Sequence, residues 1–163
     1  ALPISSCRDG YAFRQHVEAA RKNRGVEMIP EFDQYPIFYF TNHQAVEGPG
    51  PVYCMPDHFE QLDFELVIAI VIGKKGKYVP NADALDYVFG YTVINDISAR
   101  DCRREGQWIV SKGQDTFAPM GPYLVTKDEI ENPHNLNLSL KVNGIEKQNS
   151  NTKFLLFNIN DLI

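Results

Sequence analysis

The stretch Leu62-Asp63-Phe64-Glu65-Leu66-Val67-Ile68-Ala69-Ile70-Val71-Ile72 decides how this chain reads. Side chains alternate across a strand, so Leu62, Phe64, Leu66, Ile68 and Ile70 share one face and Asp63, Glu65, Val67, Ala69 and Val71 the other. The run predicts one strand, apolar towards its end and carrying carboxylates at its start. Downstream, Gly73-Lys74-Lys75-Gly76 predicts a hairpin turn; it lacks the spacing and the Ser/Thr of a P-loop. Asn81 to Tyr87 predicts a short helix capped by Asn81, and Gly90 to Asp96 a second apolar strand. Ser111 to Gly121 reads as a loop and Tyr123 to Val125 as a short strand. Leu136 to Val142 alternates strictly, and Asn143-Gly144 is a two-residue hairpin signal that returns the chain through Ile145 to Gln148. Phe154 to Ile163 reads as a strand or a short helix.

Upstream, Phe13, Val17 and Ala20 recur at helical spacing, which predicts an amphipathic helix from Asp9 to Arg24, capped by Asp9 and stopped by Gly25. From Val26 to Pro56 the breakers Pro30, Pro36, Gly48, Pro49, Gly50, Pro51 and Pro56 leave only Ile37 to Phe40 as a strand. The expected fold class is α+β and strand-rich.

Composition narrows the function. The 163 residues are 44% hydrophobic and 23% charged, which excludes wholesale disorder. Lys and Arg number 16 against 21 Asp and Glu, for a net charge of −5 without a basic block, so neither a nucleic-acid nor an anionic-membrane surface is expected. The longest apolar run, Leu66 to Ile72, falls far short of the roughly 20 residues that span a bilayer. Cys7, Cys54 and Cys102 form neither a disulfide framework nor a CxxC site, and the opening residues lack the pattern of a signal peptide. A reducing, cytoplasmic compartment is the expectation. The apolar pattern still running at Ile163 reads as part of a longer protein.

Glu65 lies within an apolar strand and Asp96 ends another. Two readings fit. Glu65 points to solvent and Asp96 caps a turn, or the two converge with a third acid around a hard, oxygen-seeking cation such as Mg²⁺, Mn²⁺ or Ca²⁺. His16 follows Asp9 by seven residues, which puts both on one face of the expected helix. It reads either as a general base or as a surface histidine. His43, His58 and His134 have no ligand spacing and read as structural or exposed, and Trp108 as a packing anchor. Lys112, beside Gly113, can reach an anionic group or be merely solvated.

Taken together, Asp63-Phe64-Glu65-Leu66, Ala69 to Lys74, Gly90-Tyr91-Thr92-Val93, Asn95-Asp96-Ile97-Ser98-Ala99-Arg100-Asp101, Lys112 and Asp115 to Pro122 resemble the fumarylacetoacetate hydrolase family. Val142-Asn143-Gly144, Gln148 and Asn151-Thr152 continue the likeness, and Asp9-Gly10-Tyr11, Arg14-Gln15-His16 and Pro36 to Tyr39 resemble the lid and substrate region of its fumarylacetoacetase branch. The resemblance implies a mixed β-sandwich roll, incomplete here at its C-terminal end, with residues 1–56 as lid helix and substrate-facing loops and 57–163 as one continuous catalytic core. It implies a homodimer and a divalent cation, Mg²⁺ first, held by Asp9, Glu65 and Asp96. It further implies His16 as base, Tyr11, Tyr39 and Lys112 facing substrate or developing negative charge, and Arg100 supporting the site. The implied reaction is hydrolytic C–C cleavage of a small 1,3-diketo acid such as an acylpyruvate, or decarboxylation of an oxaloacetate-like acid. Three departures stand out: Val67 where the family pattern has a second Glu, Arg103 where it often has Gln, and an end before the Gly- and Thr-rich C-terminal motif. Val67 supports an alternative, a weakly active or non-catalytic relative that binds a ligand or oligomerises. Asp63, on the same strand face, is the candidate to compensate for the missing carboxylate.

Overall fold

A computed structural model describes residues 4–55, 57, 59–102 and 107–163; His58 and Arg103 lie outside them. Strand β1 is Cys7–Gly10 and helix α1 is Arg14–Asn23. Asp9 therefore belongs to a strand, and the extended Phe13 stands at the helix N-cap position with no side-chain cap. This corrects the expectation that Asp9 and His16 share a helix face, because the spacing argument needs both on one helix. A single-turn helix α2 (Glu31–Gln34) follows Pro30, and strand β2 is Phe38–Thr41.

The deciding stretch divides. Strands β3 (Val46–Glu47), β4 (Leu62–Asp63) and β5 (Leu66–Ile72) leave Phe64 and Glu65 outside regular pairing. The break has a visible cause: the Glu65 N–H bonds to the Asn95 side-chain oxygen at 3.0 Å, and the Glu65 carbonyl accepts from the Asp96 N–H at 2.9 Å. β6 (Val88–Asn95) is β5's neighbour in a three-stranded sheet. They are joined by a long connection with a 3-10 helix at Asn81–Tyr87, so Gly73 to Gly76 is not a tight hairpin turn, and Pro80 rather than Asn81 takes the cap position. β7 (Ser98–Ala99) pairs antiparallel with β4, placing Asp63 opposite Ser98.

Helix α3 (Trp108–Lys112) occupies the start of the expected loop, and β8 (Ala118–Pro119) runs parallel to β3. β9 (Val125–Thr126) pairs with β6, where a Cβ on Gly90 would meet the Val125 carbonyl oxygen at 2.3 Å. Only glycine allows that approach of two backbones. β10 (Asn137–Val142) and β11 (Ile145–Asn151) form the expected hairpin, with Asn143 and Gly144 both at positive φ as their turn type requires. Helix α4 (Ile159–Leu162) closes the described chain with an Asn158–Asp161 capping box.

The chain divides into two units. The first is Ala1–Asp9, Tyr39–Val71 and Gly90–Thr126; its core includes Ala45, Ile94 and Ala118 with Val46, Val67, Ala69 and Met120 packed against them. The second is Gly10–Phe38, Ile72–Phe89 and Lys127–Ile163, where Val17, Phe32, Leu138 and Ile159 are buried. Among the described residues, no helix is long and apolar enough to cross a membrane, and the three cysteines form no disulfide.

Candidate active site

The first unit assembles a carboxylate cluster. Asp9 comes from β1, Glu65 from the break between β4 and β5, and Asp96 from the end of β6. One oxygen from each lies within 4.8 Å of the others. Of the two readings of Glu65 and Asp96, the geometry selects convergence: the side chains are only 14% and 6% exposed.

Lys112, the last residue of α3, enters this cluster rather than solvent. Its Nζ donates to Asp96 Oδ2 at 2.6 Å, to Ser98 Oγ at 2.7 Å and to Glu65 Oε2 at 2.8 Å. Three acceptors match the three donors of an ammonium. Ser98 in turn donates to the Asp96 carbonyl at 3.1 Å. Arg100 takes the other oxygen of Glu65, with Nη2 to Oε1 at 2.6 Å. The Tyr39 hydroxyl donates to Asp96 Oδ2 at 3.0 Å, and its ring meets that of Trp108 edge-on, with centroids 5.5 Å apart.

These contacts set the protonation states. Burial pushes the Asp9 carboxyl well above its ordinary value, and its hydrogen bond to Asp96 and the Asp96 charge push it further. Burial also works to raise Glu65, but Lys112 and Arg100 outweigh it and hold that carboxyl below the usual range. Lys112 is raised: burial opposes its charge, and Asp96 and Glu65 more than offset the penalty. Burial, with Asp96 and Asp9 adding to it, drives the Tyr39 hydroxyl far up, so it stays a donor. The same burial raises the Cys7 thiol, with Asp9 and Asp96 adding to it.

Val67 stands where the resemblance implies a second Glu. Val67 lies against the apolar group of Ala45, Ile94 and Ala118 and extends that core. Asp63 does not compensate as expected. It turns to Arg100, accepting from Nε at 2.9 Å and pairing with Nη2 at 2.8 Å. His16 and Tyr11 belong to the second unit, with ring centroids 5.4 Å apart. His134 is structural, its Nε2 accepting from the Ile159 N–H at 3.2 Å, and His43 sits in a 3-10 turn.

Sequence reasoning missed Asn95 and Ser98, which fix the backbone of Glu65 and the ammonium of Lys112. Both stand in the same Asn-Asp-Ile-Ser segment as Asp96. A polar residue on either side of a carboxylate at the end of an apolar strand was the available signal.

Comparison with known proteins places this arrangement. Residues 6–163 match the family described as fumarylacetoacetate (FAA) hydrolase, C-terminal. The chain belongs to the fumarylacetoacetate hydrolase family. It is 45% identical over 130 residues to oxaloacetate tautomerase Fahd2a, mitochondrial, of Rattus norvegicus, covering 78% of this chain and 42% of the relative. The structure of a 5-carboxymethyl-2-hydroxymuconate delta-isomerase from Mycobacterium smegmatis matches with a TM-score of 0.79 and 34% identity, covering 98% of this chain and 58% of that one. A maleylpyruvate hydrolase from Sphingobium.sp SYK-6 matches with a TM-score of 0.67 and 33% identity, over 77% of this chain and 46% of that one. The chain thus spans about half the length of these relatives. Its strand-rich α+β fold is the fold of the family.

The donor set fits a divalent cation. All three candidate ligands are carboxylates, the chemistry of hard cations, and two of them, Glu65 and Asp96, already pair with the Lys112 ammonium. Asp9, Glu65 and Asp96 are the residues that could hold such an ion.

Proposed function

We propose that this chain carries the catalytic part of a metal-dependent enzyme that cleaves a C–C bond of a small 1,3-diketo acid by hydrolysis. The observation that carries this reading is the gathering of Asp9, Glu65 and Asp96 within 4.8 Å of one another, with the Lys112 ammonium bonded to Glu65 and Asp96. In this reading those three acids hold Mg²⁺, with Mn²⁺ or Ca²⁺ as substitutes. A bound divalent cation supplies Lewis-acid polarisation of the two substrate oxygens. Lys112, kept protonated by its carboxylate neighbours, places fixed positive charge where the departing enolate develops negative charge. Arg100 supports the same charge, and Tyr11 and Tyr39 orient the substrate. His16 takes a proton from the attacking water, whose oxygen adds to the distal carbonyl carbon. The bond to the central carbon then breaks, and that carbon is reprotonated. We assign residues 1–56 to the substrate-facing side, residues 57–163 to the catalytic core, and the working form to a homodimer. For the compartment, a reducing one suits three unbridged cysteines, whether cytoplasm or, as the rat relative's name suggests, mitochondrion.

A second reading is favoured by the names of the rat and mycobacterial relatives, a tautomerase and an isomerase. The same enolate-stabilising groups then move a proton between carbon and oxygen, and no carbon bond breaks. The deciding experiment offers an acylpyruvate and oxaloacetate to the protein with Mn²⁺. Product analysis showing two shorter acids supports hydrolysis. Enol–keto interconversion alone supports the second reading. His16→Ala is expected to abolish acylpyruvate cleavage while Mn²⁺ affinity stays within twofold of wild type; an unchanged rate removes His16 from the mechanism.

A further inference from the structure

Asp63 holds a position that its sequence context did not suggest. The β4–β7 pairing sets it opposite Ser98, and the Arg100 N–H bonds to the Gln61 carbonyl at 2.8 Å, so the backbone delivers Asp63 and Arg100 side by side. Asp63 is itself fixed, because its Oδ1 accepts from the Phe64 N–H at 2.9 Å. Its Oδ2 then accepts from Arg100 Nε at 2.9 Å and lies 2.8 Å from Nη2 in an ion pair. A guanidinium fork prefers to engage a carboxylate through two parallel bonds. Asp63 lies on the Nε/Nη2 edge of the fork, and Nη2 also donates to Glu65 Oε1 at 2.6 Å. Glu65 Oε2 is left with Lys112. Asp63 also offsets the Arg100 charge beside a site that must accept a further cation.

We infer that Asp63 is a positioning residue, which holds Arg100 to a single bond on Glu65 and thereby keeps Glu65 available as a cation ligand. The inference rests on the reading of Asp9, Glu65 and Asp96 as cation ligands. Without Asp63, Arg100 is free to close its fork over Glu65 and compete with the ion. Outer partners of metal ligands typically control affinity by about 10–100-fold. The role therefore shows in metal uptake, without any turnover.

The test measures Mn²⁺ affinity by calorimetry and by the electron spin resonance of free Mn²⁺. Wild type is compared with Asp63→Asn, Arg100→Gln and the double variant. Asp63→Asn keeps an acceptor for the Phe64 N–H and removes the charge. Asp63 is 40% exposed, so little packing depends on it, and the fluorescence of Trp108, the only tryptophan, verifies folding. The expected result is about tenfold weaker Mn²⁺ binding in Asp63→Asn and no further loss when that change is added to Arg100→Gln. Equal affinity in wild type and Asp63→Asn overturns the inference alone. So does the same loss in both Arg100 backgrounds, since Asp63 would then act other than through Arg100. Absence of Mn²⁺ uptake by wild type overturns the metal reading and this inference with it. Should Asp63→Asn not fold, Asp63→Glu, which keeps the charge on a longer arm, takes its place: Mn²⁺ affinity nearer wild type than that of Asp63→Ala supports the inference, and affinity equal to Asp63→Ala refutes it.

Discussion

Two polar networks, one in each unit, differ in what they are made of. In the second unit, Thr152 is 1% exposed; its hydroxyl donates to the Pro133 carbonyl and accepts from the Leu136 N–H, both at 2.8 Å. Beside it, the Asn151 amide donates to Asn135 at 3.1 Å and to Asn137 at 2.9 Å, while its oxygen accepts from the Lys153 N–H. Every group there is neutral, and the donors and acceptors match one another without a ligand. The first unit instead gathers Asp9, Glu65 and Asp96 in one place and balances them with Lys112 and Arg100. Neutral amides ask little in desolvation, whereas burying charges costs several kcal/mol per ion unless each is compensated. A fold needing only a staple uses the first kind. The second kind is costly enough to point to chemistry.

The sharpest way to break that contrast is Lys112→Met. It strands two buried carboxylates, and the expected loss of stability is about 3–5 kcal/mol by urea denaturation, with Mn²⁺ restoring part of it. A loss under about 1 kcal/mol would mean that the charges are not compensated as described.

Thr152→Val tests the neutral network. It leaves the Pro133 carbonyl and the Leu136 N–H without their partner, for an expected cost of about 1–3 kcal/mol. Mn²⁺ affinity should not move; a change in it would mean that the neutral network is not independent of the charged one.

The smallest effect is a slope. Asp9 has a raised pKa in the folded state, so it contributes stability below the ordinary carboxylate range, and that contribution is lost as pH rises through the raised value. Glu65 has a lowered pKa and does the reverse: its contribution is present above the ordinary value and is lost as pH falls through the lowered one. In Asp9→Asn, stability measured against pH should lose the decline on the side of rising pH and keep the one on the acid side. A decline unchanged in that variant assigns it to another group.

Much of the fold was legible because local signals agreed with the final structure. The alternation of Leu136 to Val142 and the Asn143-Gly144 pair specified a hairpin that forms as read. Phe13, Val17 and Ala20 marked a helix, although its start was read too early, since an Asp before an amphipathic run is an ordinary cap signal and here it serves a strand. The 62–72 run was read as continuous because alternation cannot register a side chain, Asn95, arriving from another strand to take the Glu65 N–H.

What the sequence determined by itself was the family, the strand-rich class and the presence of carboxylates in and at the end of apolar strands, open between solvent and a shared site. These follow from residue type and order alone. Only the tertiary structure decided which partner each charge received: Lys112 between Glu65 and Asp96, Asp63 on Arg100 rather than in the cluster, Val67 in the apolar core. The physical reason is range. Alternation and capping act over a few residues, whereas an ion pair is set by distances of about 3 Å between groups far apart along the chain, and those exist only once the backbone has closed.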